Sequence, residues 1–542
     1  MSLKNQKFVV FCFIILYSLA FSLLDGCTGV TLENKYFKTH LEDLELLNSS
    51  PIYITDNDDL MNYDFPGNGT KDNPYLIAGL FLTDFTTDLI WIMDTDVFIN
   101  IENCTLNGVK GLYFGIHLRN TANIAIIGNK INYTSDAIHI VSSINIMIQS
   151  NIIHDNALDG IVVTNSQYID IGENIIYSNG FVKPDLLKIH SSGYESIGQT
   201  SSGGNGILID PSSNISIHKN FLFENRLNGI ILFNSTNVEL ISNKIHHNGD
   251  NGLNLWNSGK NIIRDNEIFS NGVLLTGGGS QTSGGGNGIL IDPSDDVEVV
   301  DCRIYANFGK GIHSLSSNLQ NLSYNTIYSN GDDGIALVNS VNSVIAFNNI
   351  TGNGVATLTF LYQFTPLGTL QTSGGGNGIL IDPSSKIDVY NNIIADNSRN
   401  GLLLLTVSDS LVSLNSIINN NEYGIFLSEE STDVKISCNR FVGNALNQKS
   451  QARDDGSRNI FGYNFWSDYS SLDTNQDNIG DVDYNIDGTA NNTDEFPIID
   501  YDLLSECPQT IPTKPTGISV SPIFIIFGLI ILGYSKIQKR QK

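Results

Sequence analysis

The sequence predicts an all-β protein, a single-stranded right-handed parallel β-helix (solenoid) of about 13 turns. A Gly-Ile/Leu-x-Leu/Ile phrase recurs from Gly115 to Gly424 at uninterrupted spacings of 22 or 23 residues, and a glycine-free copy starts near Ile90. Apolar residues alternate within each unit, as they do in short strands whose alternate side chains point inward. Asparagine also recurs at fixed offsets within the unit.

Two columns of asparagine follow the unit starts, at offsets of 14 and 19 residues, as in Asn220 and Asn225 after Gly206. Asparagine tolerates the left-handed turn conformation, and stacked identical amides hydrogen-bond along a stack. Leucine-rich repeats share the unit length, but their Leu-rich consensus is absent. A propeller needs units of about 40–50 residues. The repeat therefore favours a parallel coil of three short strands per turn.

The cysteines are predicted to stay unpaired. Cys104, Cys302 and Cys438 occupy the first asparagine column and lie at least five turns apart. At ~4.8 Å per turn the separation is ~24 Å. A disulfide requires Cα atoms within about 7 Å. The repeat register therefore predicts three buried thiols.

Composition excludes one class of partner. The chain has 542 residues, of which 41% are hydrophobic, and its 56 acidic against 29 basic residues give a net charge of −27. A nucleic-acid-binding surface needs a basic patch, and the bases are scarce outside the two termini. Long-range repulsion also disfavours a strongly anionic partner such as a polyuronate.

The two ends of the chain predict export and anchoring. Lys4 and Lys7 precede an apolar run, which is the pattern of a signal peptide. A second apolar run near the C-terminus is followed by a basic tail, the pattern of a membrane-spanning helix that leaves the bulk of the chain extracellular. The predicted segments are a signal peptide at 1–30, an N-terminal cap region at 31–89, the β-helix at 90–445, a C-terminal cap at 446–505, a linker at 506–517, a transmembrane helix at 518–535 and a cytoplasmic tail at 536–542.

Three near-identical segments, at 199–213, 281–295 and 371–385, each follow an insertion. Their aspartates Asp210, Asp292 and Asp382 are expected to line up about 14 Å apart, three turns of ~4.8 Å. They are candidate ligands for a polymer or for cations, and the alternative is a strand terminator copied by duplication. Trp256, on the same strand face, is a candidate for sugar stacking.

Two further groups are candidates for catalysis. His117 and His139 occupy equivalent outward positions on adjacent turns, with Arg119 nearby, and a stacked His pair binds metal or moves protons. The alternative is two exposed histidines with no third ligand. Asp332 and Asp333 are paired carboxylates of the kind that divide acid and base roles. The alternative is that the turn itself favours aspartate.

The segment 473–483 is predicted to hold calcium. Alternating oxygen ligands, a backbone carbonyl at the seventh place and a nearby glycine are what a calcium loop requires. An acidic loop of Asx turns is the alternative. The predicted ligands are Asp473, Asn475, Asp477, Ile479, Asp481 and Asp483.

The head of the repeat region, Gly67-Asn-Gly-Thr-Lys-Asp-Asn-Pro-Tyr-Leu-Ile77, and its tail, Tyr463-Asn-Phe-Trp-Ser-Asp-Tyr469, resemble those of NosD-type right-handed β-helix proteins over about residues 51–500. The resemblance implies a prokaryotic surface protein related to carbohydrate-binding and sugar-hydrolysing helices. It also carries a link to copper delivery, although copper needs clustered Met, Cys or His and this chain has 4 Met.

The predicted function is a membrane-anchored cell-surface β-helix that binds glycans or other surface partners without catalysis. A glycan-cleaving enzyme with its site on the strand faces is the first alternative. A NosD-like factor for copper or metalloenzyme maturation is the second. The missing set of recognisable catalytic motifs favours the binding protein.

Overall fold

The computed structural model describes residues 48–84, 86–108, 111–180, 203–272, 286–355, 375–445 and 450–500. Over these residues the chain forms an all-β parallel solenoid of about 14 turns. In the described part of the chain the helical element is one short 3-10 turn, Asp59–Asn62. The predicted all-β solenoid is therefore confirmed.

Each turn contributes strands to three parallel ladders, which we number 1 to 3 in the order in which a turn runs through them. Ladder 1 consists of Ile52–Ile54, Ile90–Met93, Ile116–Arg119, Ile138–Val141, Ile161–Thr164, Ile207–Asp210, Ile230–Phe233, Leu253–Trp256, Ile289–Asp292, Ile312–Leu315, the first parts of Ile335–Ala346 and Ile379–Tyr390, Leu402–Leu404, Ile425–Leu427 and Ala452–Asp454. Its first and last strands add one turn before and one turn after those that the repeat predicts.

Ladder 2 runs beside ladder 1. Two long strands, Ile335–Ala346 and Ile379–Tyr390, pass from ladder 1 into ladder 2 without a break. Ladder 2 consists of Tyr75–Ala78, Ile99–Glu102, Ala122–Ile127, Ile144–Gln149, Gln167–Gly172, Ser213–His218, Thr236–Ile241, Ile262–Arg264, Glu298–Val300, Asn321–Ser323, the second parts of Ile335–Ala346 and Ile379–Tyr390, Val407–Ser408, Leu411–Ser413, Lys435–Ser437, Ile460–Gly462 and Thr493–Asp494.

Ladder 3 closes each turn. It consists of Asn48–Ser49, Phe81–Leu82, Thr105–Asn107, Lys130–Asn132, Ile152–His154, Ile175–Tyr177, Phe221–Phe223, Lys244–His246, Glu267–Phe269, Arg303–Tyr305, Thr326–Tyr328, Asn349–Thr351, Ile393–Ala395, Ser416–Ile418, Arg440–Val442 and Phe465–Trp466.

Side-chain alternation builds the core. In Ile207–Asp210, for example, Ile207 and Ile209 are fully buried inside the coil, whereas Leu208 between them points outward. Because the strands of each ladder are parallel and in register, like residues stack on like from turn to turn. A continuous column of isoleucine, leucine and valine therefore fills the interior.

Asparagine columns close the corners of the coil. The Nδ2 of Asn220 donates to Oδ1 of Asn243 at 3.0 Å, and that of Asn225 donates to Oδ1 of Asn248 at 3.0 Å. The same oxygens accept backbone N–H groups of the preceding asparagines, so buried polar atoms at the turns are paired.

A third column, not recognised in the sequence, lies directly before ladder 1. There Asn228 donates to Asn205 and Asn251 donates to Asn228.

The cysteine prediction is wrong for one of its three residues. Cys104 and Cys302 are free and buried, as expected, and burial raises the pKa of the Cys302 thiol to about 12. Cys438 instead forms a disulfide bond. The repeat register separates the ladder cysteines only from one another, and the chain also contains cysteines outside the repeat.

An aromatic cap covers the C-terminal end of the coil. Trp466 is 1% exposed and stacks between Phe441 and Tyr484, with ring centroids 4.3 and 4.2 Å away. Its Nε1 donates to Oδ2 of the buried Asp494 at 3.1 Å. Tyr484–Asn485 pairs antiparallel with Thr493–Asp494, which extends ladder 2 over the last turn.

Several predicted segments lie outside the described residues, namely the signal peptide, the insertions, the linker, the transmembrane helix and the basic tail. In the ranges that the structure does describe, none of the helical structure is long and apolar enough to span a membrane.

Candidate functional site

The outward surface of ladder 1, which we call the ladder-1 face, collects most of the candidate residues. Strand alternation places the second and fourth residues of each ladder-1 strand on it, so it carries two columns in register. Column two contains Trp91, His117, His139, Val162, Leu208, Ile231, Asn254, Leu290, His313, Ala336, Leu380, Leu403 and Phe426. Column four contains Arg119, Val141, Thr164, Asp210, Phe233, Trp256, Asp292, Leu315, Val338 and Asp382.

The middle of column four brings an aromatic pair between two acids. Trp256 lies opposite Phe233 on one side and opposite Asp292 on the other. Its ring centroid is 5.9 Å from that of Phe233, and its side chain remains 52% exposed. Asp210 lies in the same column, one turn before Phe233. The three repeated aspartates thus share one column, as Asp382 also stands in it, opposite Val338.

Two hydrogen-bond acceptors on this face have no partner. Asp210 is 6% exposed and Asn254 is 9% exposed, and the Oδ1 atom of each is buried without a hydrogen bond. Burial raises the pKa of Asp210 to about 6 and raises the pKa of Asp292 as well. Unpaired buried acceptors are costly in a native protein. Both residues lie on the ladder-1 face, which also carries the exposed indole of Trp256 and the carboxylate of Asp292.

Asp332 and Asp333 are brought together with two residues that the sequence reading missed. Lys310 Nζ is in contact with Asp332 and lies 3.0 Å from Oδ2 of Asp333. Burial and the neighbouring lysine lower the pKa of His313 to about 4, so its imidazole is neutral at pH 7. Lys310 and Asp333 each stand directly before the first glycine of a unit, on consecutive turns. The repeat register alone therefore indicates that the two residues are neighbours.

The contacts of Asp333 favour a structural role for that carboxylate. Its Oδ1 accepts the backbone N–H groups of Gly376 and Asn377 and the side-chain amide of Asn377. These are the bonds that asparagine makes elsewhere in the third column. Asp332 differs, because its Oδ1 is buried without a hydrogen-bond partner.

His117 and His139 lie opposite each other on adjacent strands, with ring centroids 5.4 Å apart. Each imidazole has a carboxylate partner: Nδ1 of His117 is 3.0 Å from Asp88, and Nδ1 of His139 is 2.9 Å from Asp136. His117 is 6% exposed, so the alternative of two exposed histidines does not describe it.

Asp88 was missed in the sequence although it stands two residues before its strand, the same offset as Asp136. Arg119 is exposed in column four, opposite Val141.

The predicted calcium loop is held by its own backbone. Asp473 accepts the N–H groups of Asp477 and Asn478 at 3.2 and 2.8 Å, and Asp481 accepts that of Thr474. Among the residues that the structure describes, no group of three or more His, Cys, Asp or Glu side chains is arranged to hold a metal ion. Calcium at residues 473–483 stays a prediction.

An aromatic column on the outer surface of ladder 3 was not anticipated. Neighbouring ring centroids are 4.6–5.4 Å apart and neighbouring planes lie within 20°. Since each inner ring is covered on both faces by its neighbours, only ring edges are left for solvent there, and the inner rings offer no open face for stacking a ligand. The column consists of His154, Tyr177, Phe223, His246, Phe269, Tyr305 and Tyr328.

Comparison with known proteins defines the class. The model of the right-handed beta helix region matches residues 82–193, 188–350 and 287–470. The chain therefore belongs to the right-handed β-helix family, and its NosD-type character is supported by a relative from Stutzerimonas stutzeri.

That relative, described as a probable ABC transporter binding protein NosD, is 31% identical over 140 residues, which cover 22% of this chain and 31% of the relative.

Solved structures match the chain at low identity and with TM-scores below 0.5. The A-module of the Azotobacter vinelandii mannuronan C-5 epimerase AlgE6 matches with a TM-score of 0.36 and 11% identity, covering 70% of this chain and 91% of that module. The Dettilon tailspike protein matches with a TM-score of 0.37 and 15% identity, over 67% and 62% of the two chains. Pectate lyase Pel9A matches with a TM-score of 0.31 and 12% identity, over 65% and 79%.

Proposed function

We propose that this protein is a membrane-anchored cell-surface β-helix that binds glycans through the ladder-1 face. The observation that carries the proposal is the strip of column four from Asp210 to Asp292, in which exposed Trp256 lies between Phe233 and Asp292. A sugar ring offers both an apolar face for an indole and hydroxyl donors for carbonyl and carboxyl oxygens. The description of the relative as a binding protein agrees with this role.

The charge of the chain narrows the ligand to neutral glycans. The net charge is −27, and the strip itself carries Asp210 and Asp292. A polyanionic sugar would meet repulsion at long range and at contact. Neutral saccharides avoid that repulsion, and their hydroxyls can still donate to carboxylate oxygens.

Trp256→Ala is expected to weaken glycan binding roughly 30-fold, the effect of about 2 kcal/mol that a central aromatic contact contributes. The test is an array of neutral and acidic glycans probed with the full chain in detergent. Leu380→Ala, on the same face but away from the strip, is the matched control. Binding that is equal in Trp256→Ala and wild type, or confined to acidic glycans, contradicts the proposal.

The second candidate function is glycan cleavage, favoured by the neighbouring Lys310, Asp332 and His313. A neutral imidazole next to a lysine and a carboxylate is equipped for proton transfer. The bound glycans from the array are therefore analysed for new reducing ends. New reducing ends produced by wild type but not by Asp332→Asn would show that the protein is a glycan-cleaving enzyme.

Deleting residues 516–542 is expected to release the protein into the medium, still folded, because the predicted anchor lies in that segment. The measurement is the distribution of wild type and truncated protein between membrane and medium in expressing cells. A folded truncated protein that stays with the membrane contradicts the C-terminal anchor.

A further inference from the structure

We infer that His117 and His139 form a binding site for a divalent transition cation such as Zn²⁺, with Nε2 of each imidazole as ligand. The carboxylates of Asp88 and Asp136 hold the two rings from behind. The site lies at the N-terminal end of the ladder-1 face. It is independent of the proposed glycan strip around Trp256.

The separation of the rings suits one shared ion. His117 and His139 are directly opposite on adjacent parallel strands, and their ring planes are inclined by 83° with centroids 5.4 Å apart. An ion ~2.1 Å from each Nε2 holds the two ring centres roughly 5 Å apart. Flat face-to-face stacking would aim the two nitrogens along parallel lines, whereas inclined rings allow the lone pairs to converge.

The carboxylates set the tautomer. A carboxylate only accepts hydrogen bonds, so its contact with Nδ1 places the ring proton there and leaves the Nε2 lone pair free. Metal-binding histidines almost always donate their other N–H to such a partner, which orients the ring and raises its basicity. Here the arrangement occurs twice on adjacent turns.

Both supports are themselves fixed. The second oxygen of Asp88 accepts the backbone N–H of Phe114 at 2.9 Å, and the second oxygen of Asp136 accepts that of Asp159 at 3.0 Å. The Phe114 ring stacks on His139 with centroids 4.4 Å apart. Trp91 stacks on His117 at 5.3 Å. These contacts hold both imidazoles in place before an ion binds.

The donor set selects the ion. Imidazole nitrogen suits Zn²⁺, Ni²⁺ and Cu²⁺, whereas Ca²⁺ and Mg²⁺ prefer oxygen ligands. The two nearby carboxylates balance the charge of a divalent ion. In the described part of the chain no cluster of three His, Cys, Asp or Glu ligands is found, so the ion keeps open positions for water or an external ligand.

The test is calorimetric titration of the full chain with Zn²⁺ at pH 7.5, with electron paramagnetic resonance of Cu²⁺ as a probe of nitrogen ligands. We expect one saturable site and two bound imidazole nitrogens in wild type. His139→Gln should leave one nitrogen and remove the saturable Zn²⁺ isotherm. Asp136→Asn should keep both nitrogens but weaken Zn²⁺ binding about 10- to 100-fold.

His218→Gln is the matched control, because His218 also contacts a carboxylate, Asp170, but has Gly172 and Ile241 opposite it on the neighbouring strands. It should bind Zn²⁺ like wild type. Thermal melting verifies that every variant is folded, and His139, the more exposed histidine, carries the test if His117→Gln unfolds. No saturable Zn²⁺ binding in wild type, or equal binding in wild type and His139→Gln, overturns the inference. Glycan binding by wild type in the presence of a chelator separates this outcome from failure of the glycan proposal.

Discussion

Trp466→Ala is expected to open the C-terminal end of the coil, at a cost of about 3–5 kcal/mol, the usual range for removing a buried tryptophan. The indole is fully enclosed between Phe441 and Tyr484 and donates to the buried Asp494. Its loss leaves a cavity at the last turn and removes a donor from a carboxylate. Burial raises the pKa of Asp494, and in the variant this carboxylate keeps only the donors of Asn464 and Phe496.

The effect should be local, since each turn of a solenoid contacts chiefly its neighbours. Hydrogen exchange is the measurement, and amides of the last turns should exchange roughly 150- to 5,000-fold faster, the equivalent of that free energy at 1.36 kcal/mol per tenfold. Trp256→Ala is the matched control, because it deletes the same side chain from an exposed position. Equal exchange in Trp466→Ala and wild type would show that the aromatic cap does not hold the coil end.

The sequence was sufficient for the coil because every turn repeats the same local choices. Alternating apolar residues define which side chains point inward, and fixed asparagine offsets define the corners. The alignment of Asp210, Asp292 and Asp382 in one column follows from the same counting. Positions related by the repeat were therefore predictable with no knowledge of side-chain contacts.

What the sequence reading missed has two physical origins. Lys310 and Asp88 lie at repeat positions, but each has its role through a contact with a side chain one turn away. The repeat does not specify in which direction those side chains point. Cys438 forms a disulfide, although neither of the other two ladder cysteines is its partner. The repeat register predicts only the distances between ladder positions, and it therefore did not reveal this disulfide. Repeats predict neighbours along a column well, and contacts with non-repeating parts of the chain poorly.

His246→Phe is expected to make the protein less sensitive to acid. His246 is sandwiched between Phe223 and Phe269, and its Nε2 is buried without a hydrogen bond. Burial, with smaller effects of His247 and Lys244, lowers its pKa from 6.5 to about 3. In this pH range the folded state binds fewer protons than the unfolded state. The free energy of unfolding is therefore unaffected by His246 above pH 6.5, and it decreases as the pH falls from 6.5 toward 3.

At pH 4 the unfavourable contribution of His246 amounts to about 3 kcal/mol, from 1.36 kcal/mol per pH unit below 6.5. Urea unfolding of wild type and His246→Phe at pH 7 and pH 4 measures it, and the stability difference should grow by about that amount in favour of the variant. His246→Gln separates charge from packing, because it also abolishes titration but breaks the ring column and should be less stable at both pH values. Wild type and His246→Phe losing equal stability between pH 7 and pH 4 would show that His246 is protonated within the folded column.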